Sequence, residues 1–497
     1  MTAPAGQQTP PRDYGGWRRS RQLGLLGLGP GATFTLLAAA GVLALAATAR
    51  PGLLAWLAPP AVAAAALTLI RPGGIPAAVL MARRARWSWG SAHGWARYRA
   101  QVVRAHAPAF PMPGVLAPCT LLDAEDGHGM RYGLVTDTRT ATLTAAIRVV
   151  PAGQWLADQD AADQWVASWG AWLAQLGYLP AVRHVTVHIL TAPEPGTVLA
   201  DQVSAGFATV APGTATDIMR EVTAMTPAVT ARSDTLVAIT LDPGRFATAP
   251  RTVAAAAAEA GQVLHALEYG LGHCGVTTCG KATAGELAAV IRAAWDPAAA
   301  GELARLSARG RHATTMTWAD AVPVGADEQP DAIVHDSGVS VSWSWMEAPR
   351  QNVTSDVLAR LIAPGPWPKR VAIQYRPYPA AAAARLLADE QTAAAFRVAL
   401  RRRSGRDETA RDMVDQARAR QAAIEEAQGA GVVLIGLHVT VTVPAQADLP
   451  RARAVTEAAA EGSRIRLRLA TFSQGAVFAA TLPCGLALDE LAARWPR

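Results

Sequence analysis

The 497-residue sequence combines 51% hydrophobic residues with 17% charged residues, a composition that excludes a disordered chain and leaves room for more than one domain. Its four cysteines are too few for a disulfide framework, so nothing in the sequence calls for an oxidising compartment. The net charge of +7 is unevenly placed: residues 1–110 hold twelve arginines and one acid, so residues 111–497 carry −4. Because phosphate binding needs a clustered basic surface, direct nucleic-acid binding by the main body is not expected.

The first predicted elements are two uncharged segments that follow a flexible basic tail over 1–22. Residues 31–49 and 53–70 are long enough, as helices, to approach the hydrocarbon thickness of about 30 Å. Arginines flank the outer ends of both segments, which predicts cytoplasmic termini. A cleaved signal peptide is the competing interpretation, but the second segment follows at once and no convincing cleavage site separates them. The sequence therefore predicts a transmembrane helical hairpin over 23–80, in a multi-pass protein of the cell membrane.

The next segment, 81–105, mixes arginine with tryptophan, a composition typical of the lipid headgroup layer. The residues predicted to lie at this membrane interface, with anionic lipids as partners, are Arg83, Arg84, Arg86, Trp87, Trp89 and Trp95. The same composition can contact RNA, but the neighbouring predicted spans favour lipid.

Beyond residue 105, strand-like and helix-like segments alternate, which predicts a cytoplasmic α+β domain over 106–325. The stretch Met130–Val150 has the alternation and central turn of a β-hairpin. In the helix that follows, a stripe of three tryptophans and a leucine shares one face, and we interpret it as packed core. A strand is predicted over Val182–Leu190; His184 and His188 share its polar face, but no third metal ligand stands at a suitable spacing.

A second α+β domain is predicted over 326–497. Its order of strand, helical pair, strand, helix and strand is typical of a ferredoxin-like layer. The segment 380–428 carries charges at helical spacing and few large apolar residues, so we expect a projecting helical arm that contacts partner proteins.

The sharpest enzyme-like motif is Gly275–Lys281, which nearly matches the phosphate-binding sequence GxxxxGK[ST]. Ala282 stands where that motif needs the hydroxyl that binds magnesium, and a predicted helix, not a strand, precedes the segment. Thr283 and Glu286 have the spacing of a capping box, so the segment is predicted to be a loop between two helices.

Metal and covalent chemistry are not indicated either. Cys274 and Cys279, with His265 and His273 nearby, lack the second cysteine pair that a zinc site of this kind requires. No GxSxG or HExxH motif and no convincing catalytic triad is visible in the sequence. We therefore expect a protein that is not an enzyme and that holds no cofactor or metal.

Three segments together resemble a known family. They are the basic start of the predicted hairpin (YGGWRRSRQLGLLGLGP), the helix-like GELAAVIRAAWDP at Gly285–Pro297, and ATFSQGAVFAATLPCGLAL at Ala470–Leu488. The chain resembles actinobacterial membrane proteins encoded with conjugative elements. In these a PrgI-like membrane hairpin precedes a domain similar to the N-terminal, non-catalytic half of type IV secretion ATPases.

This resemblance implies a non-enzymatic inner-membrane component of a conjugation or type IV-like secretion apparatus, one that anchors or organises a separate secretion ATPase. Its expected partners are that ATPase and other subunits of the complex, within which the chain would form an oligomer. Two alternatives stay open. One is a core component of type VII secretion similar to EccE, and the other is a membrane-bound nucleotide hydrolase that uses the Gly275–Lys281 segment.

Overall fold

The fold is built on one large antiparallel sheet, seen in a computed structural model of the chain. The structure describes residues 30–50, 52, 54–100, 112–153, 158–195, 212–225, 229–308, 315–347, 349, 353–379, 382–389, 431–444 and 449–494, with isolated positions between 203 and 207 and between 392 and 424. The predicted basic tail over 1–22 and most of the predicted arm over 380–428 lie outside these residues.

The strands are β1 (Arg97–Arg99), β2 (Cys119–Glu125), β3 (Arg131–Asp137), β4 (Thr142–Pro151), β5 (Val182–Pro195), β6 (Val229–Leu241), β7 (Val276–Lys281), β8 (Gly325–Glu328), β9 (Ile333–His335), β10 (Gly338–Glu347), β11 (Lys369–Pro377), β12 (Val433–Pro444) and β13 (Arg466–Leu469). The α-helices are α1 (Pro30–Ala49), α2 (Leu54–Leu69), α3 (Ala77–Ala92), α4 (Gln159–Leu176), α5 (Gly213–Ala224), α6 (Val253–Leu271), α7 (Ala284–Trp295), α8 (Ala300–Ala308), α9 (Ala359–Ile362), α10 (Leu449–Gly462), α11 (Gln474–Ala480) and α12 (Leu488–Arg494).

The sheet contains two halves with the same internal arrangement. Its order is β1-β8-β9-β10-β12-β11-β5-β6-β4-β3-β2, with β13 added to β10 and β7 added to β4. Outward from the central pair β5–β11, each half has a second strand (β6 or β12) and then a long strand (β4 or β10). Two strands pair with the outer edge of that long strand. Its N-terminal part pairs with the preceding strand of the chain (β3 or β9), and its C-terminal part pairs with a short strand that follows a helix later in the chain (β7 or β13). The two halves are therefore related by an approximate two-fold axis between β5 and β11.

Several predicted elements are confirmed. The hairpin expected within Met130–Val150 is β3–β4, and the strand expected over Val182–Leu190 is the first part of β5. Of the tryptophan stripe on α4, Trp172 is buried and Trp169 packs at the edge of the same core. The ferredoxin-like layer predicted for the second domain is wrong, because its strands do not form a separate layer but continue the sheet of the first half.

The predicted transmembrane hairpin is wrong, and with it the prediction of a multi-pass cell-membrane protein. Within the described residues, no helix combines the length and the apolar character needed to cross a membrane. The second predicted span shows the reason: α2 has only 16 residues, a rise of about 24 Å against the roughly 30 Å of a hydrocarbon core. The fold is an α+β arrangement around an antiparallel sheet of 13 strands.

The two faces of the sheet are covered differently. One face is apolar: α4 and α6 pack on it in the first half, and α9 and α10 pack on it in the second. The other face carries a row of buried hydroxyl, imidazole and amide side chains across its centre. That row is covered by the C-terminal segment 470–491, which contains α11 and the start of α12.

The C-terminal segment approaches the sheet most closely at Gly485. Its φ of +71° is a left-handed conformation, and an added Cβ would lie 1.9 Å from the Thr144 hydroxyl oxygen and 2.7 Å from that of Thr240. Those two threonines are buried and hydrogen-bonded to each other, so neither can move aside cheaply. Glycine is therefore required here for two separate reasons.

We expect Gly485→Ala to lower the free energy of unfolding by about 3–5 kcal/mol, the combined cost of a left-handed alanine and of overpacking. Gly114→Ala is the matched control, because Gly114 has a φ of +59° but an added Cβ would meet no atom within 4 Å. It should cost only about 1–2 kcal/mol. Urea denaturation of both variants measures the difference, and equal losses would show that the contact at Gly485 is not tight.

Candidate functional site

The Gly275–Lys281 segment is a strand and not the loop predicted between two helices. Its residues Val276–Lys281 form β7, which pairs antiparallel with the end of β4. The predicted capping box is confirmed: the Thr283 hydroxyl accepts from the Glu286 N–H, and the Glu286 carboxylate accepts from the Thr283 N–H. The helix after the motif thus begins with side-chain caps.

The Lys281 side chain is held in a buried ion pair. Its Nζ lies 2.6 Å from Oδ2 of Asp126, and both side chains are less than 10% exposed. The other carboxylate oxygen of Asp126 accepts from the N–H groups of His128 and Met130, which fixes the β2–β3 turn. Burial by itself would raise the pKa of Asp126, but the hydrogen bonds from Lys281 and from the two N–H groups lower it below its ordinary value. The ammonium that a phosphate loop would direct at a nucleotide is committed to this carboxylate.

A shallow cleft of about 320 Å³ opens beside this ion pair. Its lining residues are Asp126, His128, Met130, Arg131, His265, Glu268, Gly280 and Lys281. The imidazole rings of His128 and His265 face each other with centroids 5.9 Å apart. Because Lys281 is paired with Asp126 and Arg131 with Asp123, the cleft has no surplus of positive charge for a polyphosphate.

The cysteines considered as zinc ligands, Cys274 and Cys279, are both partly buried and unbridged. Cys274 is half-buried, its Sγ contacts the carbonyl of Gly270, and burial raises the pKa of its thiol to about 11. In the portion of the chain that the structure covers, no group of three histidine, cysteine or acidic side chains is arranged to hold a metal ion.

The residues predicted at a membrane interface lie on α3 and just after it. Trp87 packs against Phe472 of the C-terminal segment with ring centroids 5.8 Å apart, so it belongs to the interior contacts of the fold. Trp89 and Trp95 pack edge to face at 5.5 Å and are both largely exposed.

The arginines of this group are also on α3. Arg84 and Arg86 are exposed, whereas Arg83 is partly buried and burial lowers its pKa. The segment that follows joins the sheet as β1, and Arg99 forms a two-pronged ion pair with Asp327 on β8. Contact of these residues with anionic lipids stays a prediction.

Sequence reasoning missed the polar layer beneath the C-terminal segment. His188 donates from Nδ1 to the carbonyl of Thr481, and Nε of Arg370 donates to the hydroxyl of the same residue. Gln474 accepts from the N–H of Ser342 and donates to its carbonyl, so its side chain pairs with β10 as a strand would. The polar face is thus bound by backbone and side-chain groups of one segment.

Several groups in this layer are buried without full compensation. Arg370 makes no ion pair with any carboxylate of the described residues, lies over the Phe478 ring, and has its pKa lowered to about 9 by burial. Burial likewise lowers the pKa of His184 to about 4, of His188 to about 3 and of His335 to about 4. These histidines are neutral in the folded protein at neutral pH.

Two helical features expose apolar surface. The α1–α2 pair has Phe34, Leu45 and Trp56 among its exposed side chains, and α5 has no buried residue. On α5 the exposed Ile218, Val222 and Met225 share one face at i, i+4 and i+7, the pattern of a helix that binds in an apolar groove.

Comparison with known proteins adds no relative: neither a protein-family model nor a curated protein matches the chain.

We expect Lys281→Ala to destabilise the protein by about 3–5 kcal/mol, because it leaves the Asp126 carboxylate buried and unpaired. Adding Asp126→Asn, which keeps an acceptor for the turn, should recover part of this loss in a double-mutant cycle. Arg131→Ala, at the more exposed pair with Asp123, is the control and should cost under about 1 kcal/mol. Micromolar ATP binding by the full chain that Lys281→Ala abolishes would contradict this purely structural role.

Acidification should destabilise the protein steeply below pH 6.5. The unfolded chain protonates its histidines near pH 6.5, whereas His184, His188 and His335 bind protons in the folded state only near pH 3–4. Their contribution is fully present above pH 6.5 and is lost as pH falls toward 4, at up to about 1.4 kcal/mol per pH unit for each histidine. His188→Gln should reduce the slope of the unfolding free energy against pH, between pH 6 and 4.5, by about 1.4 kcal/mol per pH unit.

His128→Gln is the control for this slope, because the His128 side chain is exposed at the rim of the open cleft. Urea unfolding at several pH values supplies the measurement. An unchanged slope in His188→Gln would show that this imidazole is not kept neutral by burial.

Proposed function

We propose that the protein is a non-enzymatic subunit of a conjugation or type IV-like secretion apparatus that docks and organises a separate secretion ATPase. The proposal rests on the resemblance of the segments Gly285–Pro297 and Ala470–Leu488 to that family of conjugative-element proteins. It is restricted to the docking role and includes no membrane anchor.

The observation that supports this role most directly is the ion pair between Lys281 and Asp126. In the motif of the nucleotide hydrolase alternative, this lysine is the group that would contact phosphate. Here it lies at the end of a strand, buried and neutralised, and Ala282 follows it where a magnesium ligand is needed. A machine that contains this chain would therefore obtain ATP hydrolysis from another subunit.

The geometry of α5 supports a docking surface. The β5–β6 pairing continues to Pro195 and Val229, whereas the neighbouring strands stop pairing at Thr191 and Thr235. A two-stranded ribbon therefore extends beyond the sheet, and α5 lies between its two strands in the sequence. We assign the apolar stripe of α5 as the docking surface for the ATPase.

The test is crosslinking in the native host, followed by purification through a C-terminal tag and mass spectrometry. We expect wild type to recover a type IV-like secretion ATPase, with crosslinks that map to α5. Ile218→Asp with Val222→Asp should reduce the recovery of the ATPase at least tenfold. The loss of these two apolar contacts should cost about 1.4 kcal/mol or more of binding free energy, which corresponds to a tenfold loss of affinity.

Val253→Asp is the matched control, because Val253 is 59% exposed at the start of α6 while Val222 is 55% exposed. It should leave recovery unchanged. Recovery of type VII core proteins instead would transfer the assignment to an EccE-like role, and recovery of no secretion protein would contradict the proposal.

A further inference from the structure

The α1–α2 pair is a helical hairpin that stands apart from the core of the protein. Its two helices pack against each other, and α2 also contacts α3. Among the described side chains of the pair, only Ala46 and Thr68 are buried. The hairpin therefore contributes little to the stability of its own chain.

The outer surface of this hairpin is almost entirely apolar. Phe34 is 74% exposed, Leu45 is 70% exposed and Trp56 is 81% exposed. Further exposed large apolar side chains of the hairpin are Leu37, Val42, Val62 and Leu69. A helix that is apolar all round is normally buried, so this surface calls for a cover.

The hairpin offers a partner almost no polar group. The sequences of α1 and α2 contain no charged residue. The hydroxyl of Thr48 donates to carbonyls of its own helix at Ala44 and Leu45, and that of Thr68 donates to Ala65. The covering surface must therefore be apolar as well, because any polar group facing the hairpin would be left without a hydrogen-bond partner.

The dimensions of the hairpin favour a second copy of the same surface. The 16 residues of α2 give a length of about 24 Å and two adjacent helices a width of about 20 Å, or roughly 500 Å² per face. Two such faces reach about 1,000 Å², the threshold of a specific interface, before interdigitation of side chains adds more. On the rest of the described surface, exposed large apolar side chains are grouped mainly on α3 and on the shorter stripe of α5.

We propose that the hairpins of two copies of this chain pack together into a four-helix bundle, making the protein a dimer. A two-fold axis through the bundle lets each hairpin use the same face, so that the contact closes on itself. The bundle joins two bodies through residues that the α5 docking surface does not include, so dimerisation stands independently of the proposed ATPase contact.

The test measures the mass of the full chain by light scattering at micromolar concentration without detergent. Wild type is expected at twice 51.9 kDa, and Leu45→Glu with Trp56→Glu at 51.9 kDa. These positions are exposed, so the charges should not disturb the body, and circular dichroism checks that the fold is kept. Ile218→Glu on α5, which is also exposed, is the control and should remain dimeric.

Leu45→Cys provides a second readout that does not depend on weakening the contact. Oxidation of this variant should yield a crosslinked dimer, whereas Tyr178→Cys, equally exposed on the body, should not crosslink. Monomeric wild type, or a double variant that stays dimeric, would overturn the proposal. So would a chain that is monomeric in nonionic detergent and floats with phosphatidylglycerol vesicles, because lipid would then be the cover.

Discussion

The structure depends on the burial of a polar row of sheet residues by the C-terminal segment, beside the apolar part of the same face that α7 covers. A half-buried antiparallel sheet normally leaves its polar side in water, where every hydroxyl and imidazole is hydrated. Here the C-terminal segment removes that water, and its own groups must replace the lost hydrogen bonds. Gln474 on Ser342, Thr481 on His188 and Arg370, and the Leu486 carbonyl on Gln374 supply part of this replacement. Because the match is made group by group, the segment has one register on the sheet.

The same segment also joins the two halves of the sheet at their pseudo-two-fold axis. Glu490 forms an ion pair with Arg183 on β5, and Asp489 forms one with Arg376 on β11. These strands are the central pair, and their hydrogen bonds alone would leave the halves free to twist against each other. The segment therefore forms ion pairs with both central strands of the thirteen-stranded sheet.

Local patterns in the sequence predicted the individual elements well. The β3–β4 hairpin and the Thr283 cap follow from residues that are neighbours in the chain, so their signals survive without tertiary information. The site depended on contacts that no local pattern reveals: Lys281 and Asp126 are 155 residues apart, and β7 becomes a strand only because β4 offers it an edge. His184 and His188 alternate with valines as solvent-facing residues would, and the segment that buries them lies far along the sequence. The second predicted span failed because the uncharged run 53–70 is longer than the 16-residue helix that forms within it.

The position of the C-terminal segment has a consequence for synthesis on the ribosome. Residues 470–491 follow all thirteen strands in the chain, so the sheet can assemble before its polar face has a cover. During that interval Arg370 and the histidines are hydrated, and the apolar face alone directs the packing of α4, α6 and α10. The last step of folding is then the exchange of this water for the segment, a step that buries Phe478, Leu482 and Leu486 and also demands correct hydrogen-bond geometry. Nascent chains would therefore pass through a compact state in which the polar sheet face is hydrated. Chaperones and partner subunits would contact, in that state, a surface that is buried in the folded protein.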